Sequence, residues 1–316
     1  MINFRYHLVS IVAVFLALGI GIIMGTAVID RAVVDRLEQQ QSGLRSDVEA
    51  VRSENEALQA ELDDIRDSSA RLADEGSQRL LTGTLPQVPV LVVGVRGGEI
   101  AGLTDFVTLL GRAGAAYRGT LWLTDRFALD DEAEVRDLTE ALGLRDDATP
   151  AALRASAVAR LGRALRPPGE PEVLSALRAA GFLDFDAPDG APEDVVPLPD
   201  PTTRIVLVGG PDPDVPDRVL SLPLVRNLTV PRDDRVALAT LVVAPRPGED
   251  VDAGEALVAS VREDDELEAR VSSVDDVDEF AGRVAAVLAL ADLGAGRVGH
   301  FGVGPGAQRL LPAPVE

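Results

Sequence analysis

Cysteine is absent from the chain, and so is lysine, every basic residue being Arg. The first absence removes disulfide staples, thiolate metal sites and cysteine nucleophiles. The second removes a P-loop lysine, a Schiff-base lysine and any ammonium nucleophile. Aromatic residues make up 3% of the 316 residues against 46% hydrophobic residues. A core of ordinary size is therefore available, and it has to be built from Val, Leu and Ala. Histidine occurs only as His7 and His300 and methionine only as Met1 and Met24, so donors for a soft metal are scarce. Positive charge is also short: 30 basic residues face 52 acidic ones, for a formal net charge of −22. Such a surface repels nucleic acid and anionic headgroups, and no nucleic-acid partner is expected.

Charge is missing locally as well. Nothing between His7 and Asp30 is charged, and the apolar run 8–29 has 22 residues. As a helix it extends about 33 Å, which matches a hydrocarbon core of about 30 Å. Arg5 precedes the run; Asp30, Arg31, Asp35 and Arg36 follow it. The positive-inside rule then favours an inside N-terminus and an outside C-terminal domain. A cleaved signal peptide is the competing reading, since Gly25, Thr26 and Ala27 offer small residues at the right spacing. The run is longer than a usual h-region and no turn follows it, so an uncleaved anchor in the cytoplasmic membrane is expected. Ala13, Ala17, Gly21 and Gly25 recur every four residues; Ala17, Gly21 and Gly25 are candidate membrane-packing positions on one helix face.

Beyond the span the pattern becomes a heptad. Leu37, Leu44, Val51, Leu58, Ile65 and Leu72 stand seven apart at d, and Val34, Gln41, Val48, Asn55, Leu62 and Ser69 occupy a. An unbroken d series over six heptads predicts a coiled coil. Asn55 at a is a register-fixing device of parallel dimers, and Asp47 with Arg52, and Glu61 with Arg66, give the g-to-e complementarity of parallel strands. The competing reading is an amphipathic helix folded back on its own domain. The expected dimerisation residues are Val34, Leu37, Leu44, Val48, Val51, Asn55, Leu58, Leu62, Ile65 and Leu72. Residues 34–72 would reach about 58 Å as a helix. Gly76 and the stretch 82–86, TGTLP, are expected to end it.

The remainder alternates short apolar runs with helical patterns. Strands are expected at 88–95, 116–123, 204–208, 237–244 and 269–272. Helices are expected at 100–112, 131–142, 151–165, 171–180, 254–261 and from a capping box Asp276-x-x-Glu279 to Leu293. Polar or Pro-rich segments at 146–150 and 187–201 read as loops. Near-continuous apolar strands suit a parallel sheet covered on both faces. The predicted fold class is α/β: an N-terminal transmembrane helix and parallel coiled-coil stalk, then a Rossmann-like, mostly parallel α/β domain. The boundaries are a cytoplasmic stub at 1–7, the span at 8–29, the stalk at 30–75 and an extracytoplasmic domain at 86–316.

Chemical motifs are sparse. Gly94-x-x-Gly97-Gly98 follows the first strand, the place of a phosphate cradle, but it lacks G-x-G-x-x-G spacing and adds Glu99. Gly209-Gly210-Pro211 reads as a turn. No G-x-S-x-G accompanies His300. The acids of 273–278, SVDDVD, could attract a hard cation, although helix capping accounts for them more economically. No catalytic residues, no confident metal ligands and no enzyme activity are expected.

The N-terminal HLVSIVAVFLALGIGIIMG followed by a stalk, the block RVSSVDDVD at 270–278 with Gly282-Arg283-Val284 and 287–290, and His300-Phe301-Gly302-Val303-Gly304 together resemble the actinobacterial MctB family across the whole chain. That resemblance marks Ser273, Asp275, Asp276, Asp278, His300 and Gly302 as motif residues of unknown role. It implies copper transport, with an outer-membrane channel role for some members, and copper as a possible ligand by label alone; no cofactor follows from the residues. It equally implies, through SteB-type septation proteins, a coiled-coil partner of a SteA-like protein. One 22-residue span makes no pore alone, and the alternating strands of an outer-membrane barrel are missing. The expectation is a single-pass, membrane-anchored dimeric scaffold or regulator of envelope or septation machinery, with copper transport or homeostasis as the alternative.

Overall fold

The computed structural model describes residues 4–144, 148–192, 195–230, 233–246 and 256–313; in the first helix, the side chains at 4–5, 26–40, 42, 46, 63–75 and 77–78 are outside that description. The chain divides into two compact units, Met1–Arg71 and Leu72–Glu316.

The first unit consists of helix α1 (Phe4–Leu81), which continues into the second. No proline occurs before Pro86, so nothing breaks the i→i−4 ladder. Gly76 costs only about 1 kcal/mol relative to Ala inside a helix, and α1 runs through it, where a stop was expected. The helix ends instead at a turn in which both the backbone N–H and the hydroxyl of Thr84 donate to the Leu81 carbonyl (3.0 and 2.9 Å). Within α1, Tyr6–Gly25 forms a 20-residue apolar stretch of mean hydropathy 2.7, none of it buried.

The second unit is a seven-stranded sheet in the order β3-β2-β1-β4-β5-β6-β7. Its elements are β1 (Pro89–Val95), α2 (Leu103–Arg112), β2 (Ala116–Leu123), α3 (Glu132–Leu142), α4 (Pro150–Leu165), α5 (Pro171–Ala179), β3 (Leu183–Asp186), β4 (Arg204–Val208), α6 (Ser221–Thr229), β5 (Ala239–Val243), α7 (Leu257–Glu263), α8 (Asp265–Glu268), β6 (Ser272–Val274), α9 (Phe280–Gly294) and β7 (His300–Phe301). All pairings are parallel except β2 with β3. Side chains alternate across the pleat: Leu91, Val93 and Val95 face a core shared with α3 to α7, whereas Val90 and Val92 face one shared with α2 and α9. Burial on both sides is why β1, β4 and β5 read as unbroken apolar runs.

The expected strands and helices at 88–95, 116–123, 131–142, 151–165, 171–180 and 204–208 recur within one or two residues. The strand expected at 269–272 lies at Ser272–Val274, because Asp264 caps α8 through Glu266 N–H and Leu267 N–H and keeps 265–268 helical. Residues 254 and 255 of the expected helix at 254–261 are outside the described residues, as are 146, 147, 193 and 194 of the expected loops at 146–150 and 187–201. The capping box is a correction. Glu279 itself is the N-cap of α9, with no side-chain cap bond. Asp276 is 2% exposed with φ +59°, held there because α9 packs so tightly on it that a Cβ on Gly282 would lie 2.2 Å from its carbonyl oxygen.

Candidate functional site

Three places carry the expected functional residues. The first is the exposed face of α1. Leu44, Val48, Val51, Leu58 and Leu62 are between 51% and 65% exposed, and Asn55 is exposed among them. The side chains of Val34, Leu37, Ile65 and Leu72 are outside the described residues, as is that of Arg66. Arg52 pairs within its own helix with Glu56 (3.1 Å), both exposed, an interaction worth well under 1 kcal/mol. Ala17, Gly21 and Gly25 are exposed, with nothing within 4 Å of a Cβ on either glycine.

The second is the carboxyl end of the sheet, where open α/β sheets bind ligands at the point where strand order reverses. Here that point, between β1 and β4, is closed by backbone. Asp214 N–H donates to the Arg96 carbonyl (2.9 Å), and Gly98 N–H to that of Asp212 (3.2 Å). A Cβ on Gly97 would lie 2.4 Å from the Asp212 carbonyl oxygen, and one on Gly94 would lie 2.6 Å from the Trp122 ring. The N-terminus of α2 is covered too: Gly102, at φ +80°, would bring a Cβ to 2.2 Å from the Val277 carbonyl. The glycines after β1 serve close packing, and no phosphate cradle forms.

Open space lies one strand further along. Gly209, Gly210 and Pro211 after β4 and Ala244, Pro245 and Arg246 after β5 border a crevice of about 340 Å³ with Asp217, Leu257 and Ser260. Asp217 is 8% exposed and accepts a 2.5 Å hydrogen bond from the Ser221 hydroxyl, which opposes in part the burial that pushes its carboxyl up to about 6. Asp217 is a residue the sequence reading missed; it opens the amphipathic segment 217–229, and a carboxylate four residues before Ser221 is a weak signal for a local side-chain bond.

The third place is the C-terminal motif, which β6, β7 and the turn after β7 assemble around Arg262. Its Nε donates to Ser273 Oγ (2.8 Å), one terminal nitrogen to Asp275 Oδ2 (2.6 Å) and the other to the Phe301 carbonyl (2.7 Å). Asp275 also accepts from Val303 N–H (2.7 Å) and Gly304 N–H (3.0 Å). A Cβ on Gly302, at φ +120°, would meet Asp275 Oδ1 at 2.1 Å. His300 places Nε2 3.1 Å from the Glu268 carbonyl and Nδ1 2.8 Å from Ser273 Oγ. A carbonyl only accepts, so Nε2 carries the proton and Ser273 donates to Nδ1. Burial lowers the His300 pKa and favours this neutral form. Asp278 accepts from Arg246 N–H (2.8 Å). Asp276 stands apart. Its Oδ1 has no hydrogen-bond partner, and burial, with Asp275 adding, pushes its carboxyl up to about 6.

The motif thus joins Ser273, Asp275, His300 and Gly302 in one network and leaves Asp276 and Asp278 on another turn. Its donors are spent on internal hydrogen bonds, which makes it a clamp that ties the C-terminal turn to β6. Among the described residues no group of three or more His, Cys, Asp or Glu side chains is placed to hold a metal ion.

An apolar helix long enough for a membrane, joined to a seven-stranded α/β domain with a knotted-down C-terminal turn, defines the class as a membrane-associated α/β protein. The family model for MctB, described as a copper transport outer membrane protein, matches residues 1–312, and the chain belongs to that family. Relatives named copper transporter MctB, from Mycobacterium bovis and Mycobacterium tuberculosis, are 27% identical over 335 aligned positions, covering 98% of this chain and 99% of each relative.

Proposed function

We propose that this protein is a single-pass anchor of the cell envelope, N-terminus inside, that pairs with a second copy through α1 and presents its α/β domain to another envelope protein as a scaffold or regulator. The observation that carries this reading is the apolar ladder of α1. Leu44, Val48, Val51, Leu58 and Leu62 lie more than half exposed on α1, the same helix that carries the 20-residue apolar stretch Tyr6–Gly25. Solvated ladders at heptad spacing are stabilised by a second helix, and two anchors in one bilayer favour a parallel pair. Asn55→Cys tests the arrangement: membranes bearing this variant should give a disulfide-linked dimer on mild oxidation, and a cysteine in an antiparallel pair would not meet its twin. Pull-down from those membranes should recover a cell-wall or septal protein.

The name carried by the family and its relatives favours copper as cargo. The donor set speaks for a transient encounter with copper over a built site, since the chain lacks cysteine and both nitrogens of His300 are engaged inside the fold. Calorimetric titration of the full-length protein with copper separates the readings. Micromolar binding abolished by His300→Ala would replace the scaffold reading with copper handling.

A further inference from the structure

The crevice at the ends of β4 and β5 is distinct from the α1 face and from the C-terminal clamp. Its wall includes Asp217, 8% exposed, which accepts the Ser221 hydroxyl on Oδ1; among the described residues no ion pair to it is present, and burial raises its pKa. A carboxylate taken from water without a countercharge is costly and calls for a cation or several donors. The rim is mixed in sign, with exposed Arg218, Arg246 and Asp212, while Pro216, Ala244 and Leu257 supply apolar wall. A plain cation satisfies Asp217 but opposes Arg246. A plain anion does the reverse. A volume of about 340 Å³ is at the lower end of small-molecule pockets, which run from about 300 Å³ upward.

We propose that this crevice binds a small amino-acid zwitterion, its ammonium group on Asp217 and its carboxylate toward Arg246, with a short side chain against Leu257 and Pro216. The site occupies the ligand position of an open α/β sheet, displaced by one strand because the reversal point itself is closed by backbone pairing. Recognition by a buried acid and an exposed arginine discriminates by charge pattern, so fragments carrying one charge bind less well than the molecule that carries both.

Calorimetry on the full-length protein in detergent, with alanine, ethylamine and propionate as probes, tests this. Alanine should bind saturably, and ethylamine and propionate at least about tenfold more weakly. Asp217→Asn, which keeps the volume and an oxygen for Ser221, should weaken alanine at least about tenfold, equivalent to about 1.4 kcal/mol. Arg246→Gln changes an exposed side chain and should weaken alanine while leaving ethylamine unaffected. No saturable alanine binding, unchanged alanine affinity in Asp217→Asn, or ethylamine binding as tightly as alanine would each overturn the proposal.

Discussion

Three buried ionisable groups pull stability in opposite directions with pH. Asp276 and Asp217 are pushed up from 3.8 to about 6 by burial. Between those values the folded chain holds protons that the unfolded chain has lost, so each group weakens the fold as pH rises toward 6 and leaves a full penalty above it. His300 is depressed below 6.5 by burial; its contribution is complete above 6.5 and is lost as pH falls and the unfolded chain takes up the proton. Asp276→Asn should therefore stabilise the protein at pH 7 by up to about 3 kcal/mol and flatten the acid side of the profile. Asn also accepts the left-handed backbone at φ +59° more readily than most residues. Denaturant midpoints at pH 5 and pH 7 read this directly, and an Asn variant less stable than the parent at pH 7 would refute it. Arg262 lies on the other side of the ledger. With side chains 4% and 7% exposed, Arg262 and Asp275 form a buried pair, and Arg262→Met should cost about 3–5 kcal/mol by stranding the carboxylate.

Elements meet in this fold through glycines whose role is close approach. Gly102 lets the start of α2 rest on the Val277 carbonyl, and Gly282 lets α9 rest on Asp276. Gly102→Ala should lower the denaturation free energy by about 1–3 kcal/mol, because backbone on both sides leaves nothing flexible to move. Unfolding curves of the two proteins check it. Along α1 the corresponding device is the apolar ladder. Leu58→Asp places a charge in the expected seam and should abolish the crosslink of Asn55→Cys while leaving the circular dichroism of the α/β domain unchanged. The strand β3, which the sequence reading missed, illustrates why elements differ in legibility. Its pattern, Leu183 and Phe185 buried with Asp184 and Asp186 exposed, is alternating and only four residues long. Arg96 reaches both acids and stacks over Trp122, contacts that exist only once β2 and β3 pair. The strand β7 has two residues, too few for any periodicity, and α6, which was not expected, carries Pro223 in its first turn.

For the whole molecule, the division at Arg71 and Leu72 predicts that residues 72–316 expressed alone are soluble and folded, while the full chain partitions into membranes; a fragment that aggregates or melts without cooperativity would contradict it. What the sequence by itself determined follows from short-range physics. An uncharged run of 22 residues, a proline-free heptad and unbroken Val-rich strands each specify local structure, so the apolar helix, the α/β class and the bounds of α3, α4 and α5 were legible. Only the tertiary structure decided the rest. It ranked the strands in their order, with β3 reversed, and closed the reversal point that Gly94-x-x-Gly97-Gly98 had left open to a phosphate. It converted Asp276 from a helix cap into a buried acid. It also gathered Ser273, Asp275 and His300 around Arg262 and opened the crevice beside Asp217. Each of these depends on residues far apart in the chain arriving at one place, and on the desolvation that follows. A linear pattern holds neither the neighbour nor the loss of water that gives a carboxylate its role.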